Sequence, residues 1–112
     1  MGLFNKKIKT EKIKNGNKIT ASEKIHFLQV NDSSDEMLFD ICDKILDGTP
    51  VLANFENLDI KESNNMLAFI SGVLYAIEGT SLKVQSKLFL FARKEEFEDG
   101  SLYQYYEDLK WF

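Results

Sequence analysis

Apolar positions change their spacing several times along this chain, and each change marks an element. In "KIHFLQV" (24–30) Ile25 and Phe27 alternate with His26 and Leu28, the period of two expected of a strand. From Met37 the spacing becomes three and four. Met37, Leu38, Ile41, Cys42, Ile45 and Leu46 form one side of an amphipathic helix, with Asp and Lys between them. Asp32, Ser33 or Ser34 can cap its start, Asp35 and Glu36 suit the positive end of its dipole, and Gly48 is placed to end it. "TPVLANF" is a short unbroken apolar run, read as a buried strand with Pro50 at its first residue, where no ladder bond is lost.

After the polar turn "ENLDIKESNN" a second helix is predicted over Ile60 to Ile77. Met66, Leu67, Ile70, Val73, Leu74 and Ile77 make its apolar stripe. Ala68, Gly72 and Ala76 make another stripe, one without bulk. A glycine inside a helix costs about 1 kcal/mol relative to alanine, so close approach of another backbone is expected at Gly72. That backbone belongs either to the sheet of the same molecule or to the same helix of a second molecule. Gly79 is expected to end this helix in the left-handed conformation, with Thr80 and Ser81 in the turn.

"SLKVQ" and "KLFLFA" then read as two strands around a turn near Gln85 and Ser86. Leu88 and Leu90 should face one side, Phe89 and Phe91 the other. If one side is the core, the other exposes two Phe rings and marks a binding surface, unless a second layer covers them. "RKEEFEDG" is a charged link. "SLYQYYEDLKWF" is a candidate for that layer, as an amphipathic helix with Leu102, Tyr105, Tyr106 and Leu109 on one side. The order β-α-β-α-β-β predicts an α/β fold, a compact two-layer sandwich of a small β-sheet and two helices, with the closing segment as a candidate extra helix. The strand order is left open by the pattern.

Ahead of the first strand the pattern is different. Residues 1–22 form an arm, largely polar, Lys/Asn-rich and broken by Gly16; residues 23–95 form the core domain and 96–112 a tail. On a helix over residues 1–9, Met1, Phe4 and Ile8 share a face and Lys6, Lys7 and Lys9 lie away from it, while Leu3 falls off the stripe. Such short apolar and basic helices lie in the membrane interface. The alternative is a disordered start with chance hydrophobic residues.

Composition adds limits. The 112 residues favour one domain, and 44% of them are hydrophobic. The net charge of -4 divides unevenly: residues 1–24 carry +5 and the remainder -9. A basic arm on an acidic domain signals interaction, with an anionic membrane surface fitting at least as well as nucleic acid. The arm has no Arg, and the acidic body repels phosphate. No run approaches the ~18 apolar residues of a membrane-spanning helix, and no signal peptide or myristoylation pattern is seen. A cytoplasmic location is the simplest expectation.

The chemistry is sparse. With one Cys and one His, an internal disulfide and a His-rich metal site are both ruled out. Cys42 lies on an apolar helical face and reads as a small buried hydrophobe, and His26 lies in an alternating run. They are the only reactive groups available to an alternative reading as a small ligand-binding or enzymatic α/β domain. "EGTSLKV" puts Gly, Thr, Ser and Lys together, but it has one Gly and follows the end of a helix, where the dipole disfavours phosphate. A basic-armed nucleic-acid binder is the other alternative, weakened by the lack of aromatic-basic interleaving. No catalytic residue, metal site or cofactor is expected.

Two stretches, "ILDGTPVLANFENLD" and "FISGVLYAIEGTSLKVQSKLFLF", resemble the SepF family of bacterial cell-division proteins. The resemblance is carried by Gly48, Pro50, Val51, Phe69, Gly72, Tyr75, Ala76, Gly79, Lys83, Val84, Phe89, Leu90 and Phe91, and it covers roughly Lys24 to Ala92. "MGLF" with its following lysines is also similar to the family's membrane-targeting helix. The terminal "SLYQYYEDLKWF" has no match in the family's pattern, and the arm is basic where the family's linker is usually acidic.

The resemblance implies a non-enzymatic adaptor without a cofactor. It would be dimeric, or assembled further, and would bind the C-terminal peptide of the tubulin-like FtsZ. It would tie FtsZ filaments to the inner face of the membrane at the division site. It further implies that Lys83 and Phe89 contact that peptide, that Ala68, Gly72 and Ala76 lie on the helix-to-helix contact face, and that Met1, Leu3, Phe4, Lys6, Lys7, Ile8 and Lys9 meet the membrane. Nucleic acid is not among the expected partners.

Overall fold

The computed structural model describes residues 19–110. A short 3-10 turn (Ala21–Lys24) leads into β1 (His26–Gln29). Then come α1 (Asp35–Leu46), β2 (Val51–Asn54), α2 (Ile60–Ala76), β3 (Thr80–Gln85), β4 (Leu88–Ala92), a 3-10 turn (Lys94–Phe97) and α3 (Ser101–Leu109). The sheet order is β1-β2-β4-β3. β1 runs parallel to β2, and both β2 and β3 pair antiparallel with β4. β1 and β3 are therefore the edges.

Local chemistry sets the helix ends. At the start of α1 the Ser34 hydroxyl accepts from the Met37 N–H at 3.1 Å, and at the start of α2 the Asp59 carboxylate accepts from Glu62 N–H at 2.7 Å. α1 ends at Gly48, whose φ of +93° lets its N–H reach the Ile45 carbonyl while Thr49 N–H reaches that of Lys44. α2 ends by the same pair of bonds, from Glu78 N–H to Tyr75 and from Gly79 N–H to Leu74. Here the left-handed residue is Glu78, with φ +59°, and not Gly79 as expected. Gly79 is needed for space: a Cβ there would stand 2.8 Å from the Ala92 carbonyl oxygen and 2.7 Å from Leu74 Cδ2.

Other boundaries also moved. Lys24 belongs to the 3-10 turn ahead of β1, where Glu23 accepts from the Thr20 N–H. Pro50 lies just before β2, where its carbonyl accepts from the His26 N–H. Thr80 and Ser81 are in β3 and not in the turn.

The sheet separates two apolar clusters. On one face α1 and α2 bury Ile41, Cys42, Ile45, Met66, Ile70 and Leu74 against Val51, Ala53 and Phe91. On the other, α3 and its neighbouring turns cover Leu52, Val84, Leu90 and Ala92 with Leu102 and Phe97. The expected extra helix is thus present, and it adds a third layer to the predicted two. It covers the leucine side. Phe91 is only 1% exposed beneath α1 and α2, and Phe89 is half-buried on the same face. The expected face with two exposed Phe rings does not exist, because both sides of β4 are covered. A fully buried Leu such as Leu102 contributes about 2 kcal/mol.

Candidate functional site

Two surfaces bring the sequence-predicted residues together. The first lies at the β3 edge. Lys83 is directly opposite Phe89 in the β3–β4 register, so its stem and the Phe ring share the face of the sheet that α1 and α2 cover. Lys83 is exposed. The Phe89 ring is fixed from behind: it stacks on Phe91 with centroids 6.2 Å apart and meets the edge of Phe55 at 5.8 Å. The ladder breaks its register between Lys83 and Gln85, just beyond this pair. Val84 is buried on the α3 side, which leaves Lys83 on the opposite side.

The second surface is the outer side of α2. Met66, Ile70 and Leu74 are buried, so Ala68, Gly72 and Ala76 turn away from the sheet and are exposed. Gly72 meets nothing of its own molecule: a Cβ placed there would have no atom within 4 Å. Of the two explanations for Gly72 left open by the sequence, approach to its own sheet is ruled out.

The same surface carries large apolar side chains that the sequence reading did not pick out as exposed. Tyr75 is 88% exposed, and Phe39 on α1 (49%) and Phe69 on α2 (46%) meet with ring centroids 6.0 Å apart. The signal was present in the spacing: Phe69, Gly72 and Ala76 follow at three and four, off the buried stripe.

The remaining candidates separate. Cys42 is buried among the apolar side chains under α1, as its position predicted. Burial, with the nearby Asp43 charge, pushes its thiol pKa up and away from the nucleophilic form. His26 is exposed on the edge strand. A cavity of about 210 Å³ lies between the starts of α1 and α2, lined by Ser33, Asp35, Leu38, Glu62, Asn65, Met66 and Phe69. Neither Cys42 nor His26 lines it. Among the described residues no group of three or more His, Cys, Asp or Glu could hold a metal ion, and no helix is long and apolar enough to cross a membrane. Met1, Leu3, Phe4, Lys6, Lys7, Ile8 and Lys9 lie outside the described residues.

This is a small α/β domain whose distinctive features are surfaces: a lysine set beside an aromatic ring, and an apolar helix face with a gap at its centre. The chain belongs to the family of cell division protein SepF, whose family model matches residues 25–95. A cell division protein SepF of Ruminiclostridium cellulolyticum is 32% identical over 63 residues, covering 56% of this chain and 40% of that one. One of Natranaerobius thermophilus is 33% identical over 55 residues, 49% of this chain and 33% of the other. One of Caldanaerobacter subterraneus is 30% identical over 57 residues, 51% and 42% respectively. The match with each of these relatives spans less than half of its length. Both surfaces lie within the family match; α3 lies beyond it.

Proposed function

We propose that this chain is a cell-division adaptor that binds the C-terminal peptide of FtsZ, pairs with a second copy of itself, and holds FtsZ filaments to the inner face of the membrane through residues 1–9. The observation that carries the peptide site is the cross-strand placement of Lys83 against Phe89. An exposed ammonium suits an acidic group of the peptide, while the Phe ring, held by Phe55 and Phe91, suits an apolar side chain beside it. The pairing with a second copy is supported by Gly72, whose cost in the helix nothing inside the molecule offsets, and by the exposed aromatic side chains around it. Two or more copies would present several arms to one membrane, which raises avidity by about 10²- to 10⁴-fold over a single weak helix.

Calorimetric titration with an FtsZ C-terminal peptide tests the first part. Lys83→Glu and Phe89→Ala should each weaken binding at least about tenfold, one removing a charge contact and the other an anchor. Unchanged affinity in both variants, with the far-ultraviolet spectrum intact, places the site elsewhere. For the membrane part, Phe4→Glu should abolish flotation with anionic liposomes; retained flotation refutes the role of residues 1–9.

A further inference from the structure

The family match ends at residue 95 and begins at residue 25, and the segments just outside it touch each other. The Ala21 N–H donates to Asp99 Oδ2 at 3.0 Å, and the Ser22 N–H donates to Ser101 Oγ at 2.9 Å. The Ser101 hydroxyl in turn donates to Asp99 Oδ1 at 2.7 Å, and the Ser101 N–H donates to the same oxygen at 2.9 Å. One carboxylate and one hydroxyl thus join the start of α3 to the 3-10 turn at Ala21–Lys24, across 78 and 79 positions of sequence. Ala21 and Leu102 lie in the same apolar cluster beneath them.

Neither element is well held by itself. α3 has nine residues, and its N-cap is Gly100, which has no side chain to cap with. Isolated helices that short are marginal in water. The 3-10 turn has four residues, too few for strong ordering of its own. Each is ordered by the other and by the sheet.

We propose that α3 and the turn at Ala21–Lys24 form a clasp that sets where the N-terminal arm leaves the domain. With the clasp shut, the arm is fastened to the domain at Ala21, whose N–H is bonded to Asp99. With it open, the first fixed point is His26, whose N–H is bonded to the Pro50 carbonyl, and the arm gains five residues, about 17 Å of contour. The clasp therefore controls reach. Opening also uncovers Leu52, Leu90 and Ala92, which favours the shut form. The ordering of the two elements stands independently; its consequence for membrane distance rests on the adaptor reading above.

Amide hydrogen exchange on the full chain tests the coupling. Asp99→Ala should speed exchange about five- to tenfold at Ala21 and Ser22 and along Leu102 to Leu109, with β2 and β4 unchanged. Leu109→Ala loosens the far end of α3 without touching the Ala21 and Ser22 bonds, and should raise exchange at Ala21 and Ser22 as well. Unaltered Ala21 and Ser22 in the Leu109 variant overturns the clasp. Energy transfer from a dye on the domain to a labelled phosphatidylglycerol vesicle should fall in Asp99→Ala; equal transfer by bound variant and wild type overturns the control of reach. Absent vesicle binding by the wild type refutes the membrane reading alone, and the exchange result still decides the clasp.

Discussion

Gly72→Ala separates what a residue does for its own fold from what it does for assembly. Gly72 lies inside the 17-residue α2, four positions before its end at Ala76. An added Cβ has no neighbour within 4 Å, so the substitution carries no steric cost within the molecule. The helix-propensity difference then acts alone, and the isolated chain should gain about 0.8–1 kcal/mol. For a domain of this size that is a rise in Tm of about 4–8 °C. Association should move the other way. If two α2 helices meet at this stripe, each methyl intrudes on the contact at a cost of about 1 kcal/mol or more. A two-fold contact counts the cost twice, so dimerisation should weaken by about thirtyfold.

The assay is urea unfolding at two protein concentrations, with sedimentation equilibrium to fix the association state. At dilution the variant should be the more stable protein. At concentrations where the wild type associates, its advantage should shrink or reverse, because binding to a second copy stabilises the wild type more. A variant less stable than wild type at dilution refutes the open space at Gly72. An unchanged dissociation constant removes the stripe from the interface.

The two helix ends make opposite predictions for glycine. Glu78→Gly should stabilise by about 1 kcal/mol in chemical denaturation, since Glu78 holds a left-handed φ and its pair with Lys94 is exposed. Gly48→Ala should destabilise by about 2 kcal/mol, from its left-handed φ and an Arg93 guanidinium 2.6 Å from the new Cβ. Arg93 is held in place by two bonds to the buried Glu96 carboxylate, so Gly48→Ala should cost measurably less in an Arg93→Ala background; strict additivity would show that the guanidinium is no obstacle. Cys42 should resist alkylation at neutral pH in the folded protein and react only on unfolding, because burial holds its thiol protonated; rapid labelling of the native chain would contradict its place in the core.

The periodicities alone defined both long helices and the paired strands. The buried stripes, Ile41 with Ile45 and Met66 with Ile70 and Leu74, follow from three-and-four spacing that only one helix face satisfies. The Lys83–Phe89 pair was indicated by the resemblance alone; a regular hairpin would have set Val84 opposite Phe89, and it is the register shift between Lys83 and Gln85 that brings Lys83 there. Which side of β4 the closing helix would cover was not legible. Alternation separates Leu88 and Leu90 from Phe89 and Phe91, but it treats the two faces alike. The answer came from α3, which reaches the leucine face through contacts with Ala21 and Ser22 far away in the sequence.

Glycine shows the same division. Composition marked Gly72 and Gly79 as places that need an explanation, and it suggested backbone approach for one and left-handedness for the other. The structure leaves Gly72 open to solvent and puts the close approach at Gly79, against Ala92. The left-handed φ falls to Glu78, a residue whose type gave no sign of it. Local sequence thus determined which segments become helix or strand and which side chains they bury, because those depend on neighbours within a turn or two. Tertiary structure decided which surfaces stay uncovered and why each glycine is there, because a face is open or closed only by what the rest of the chain brings to it.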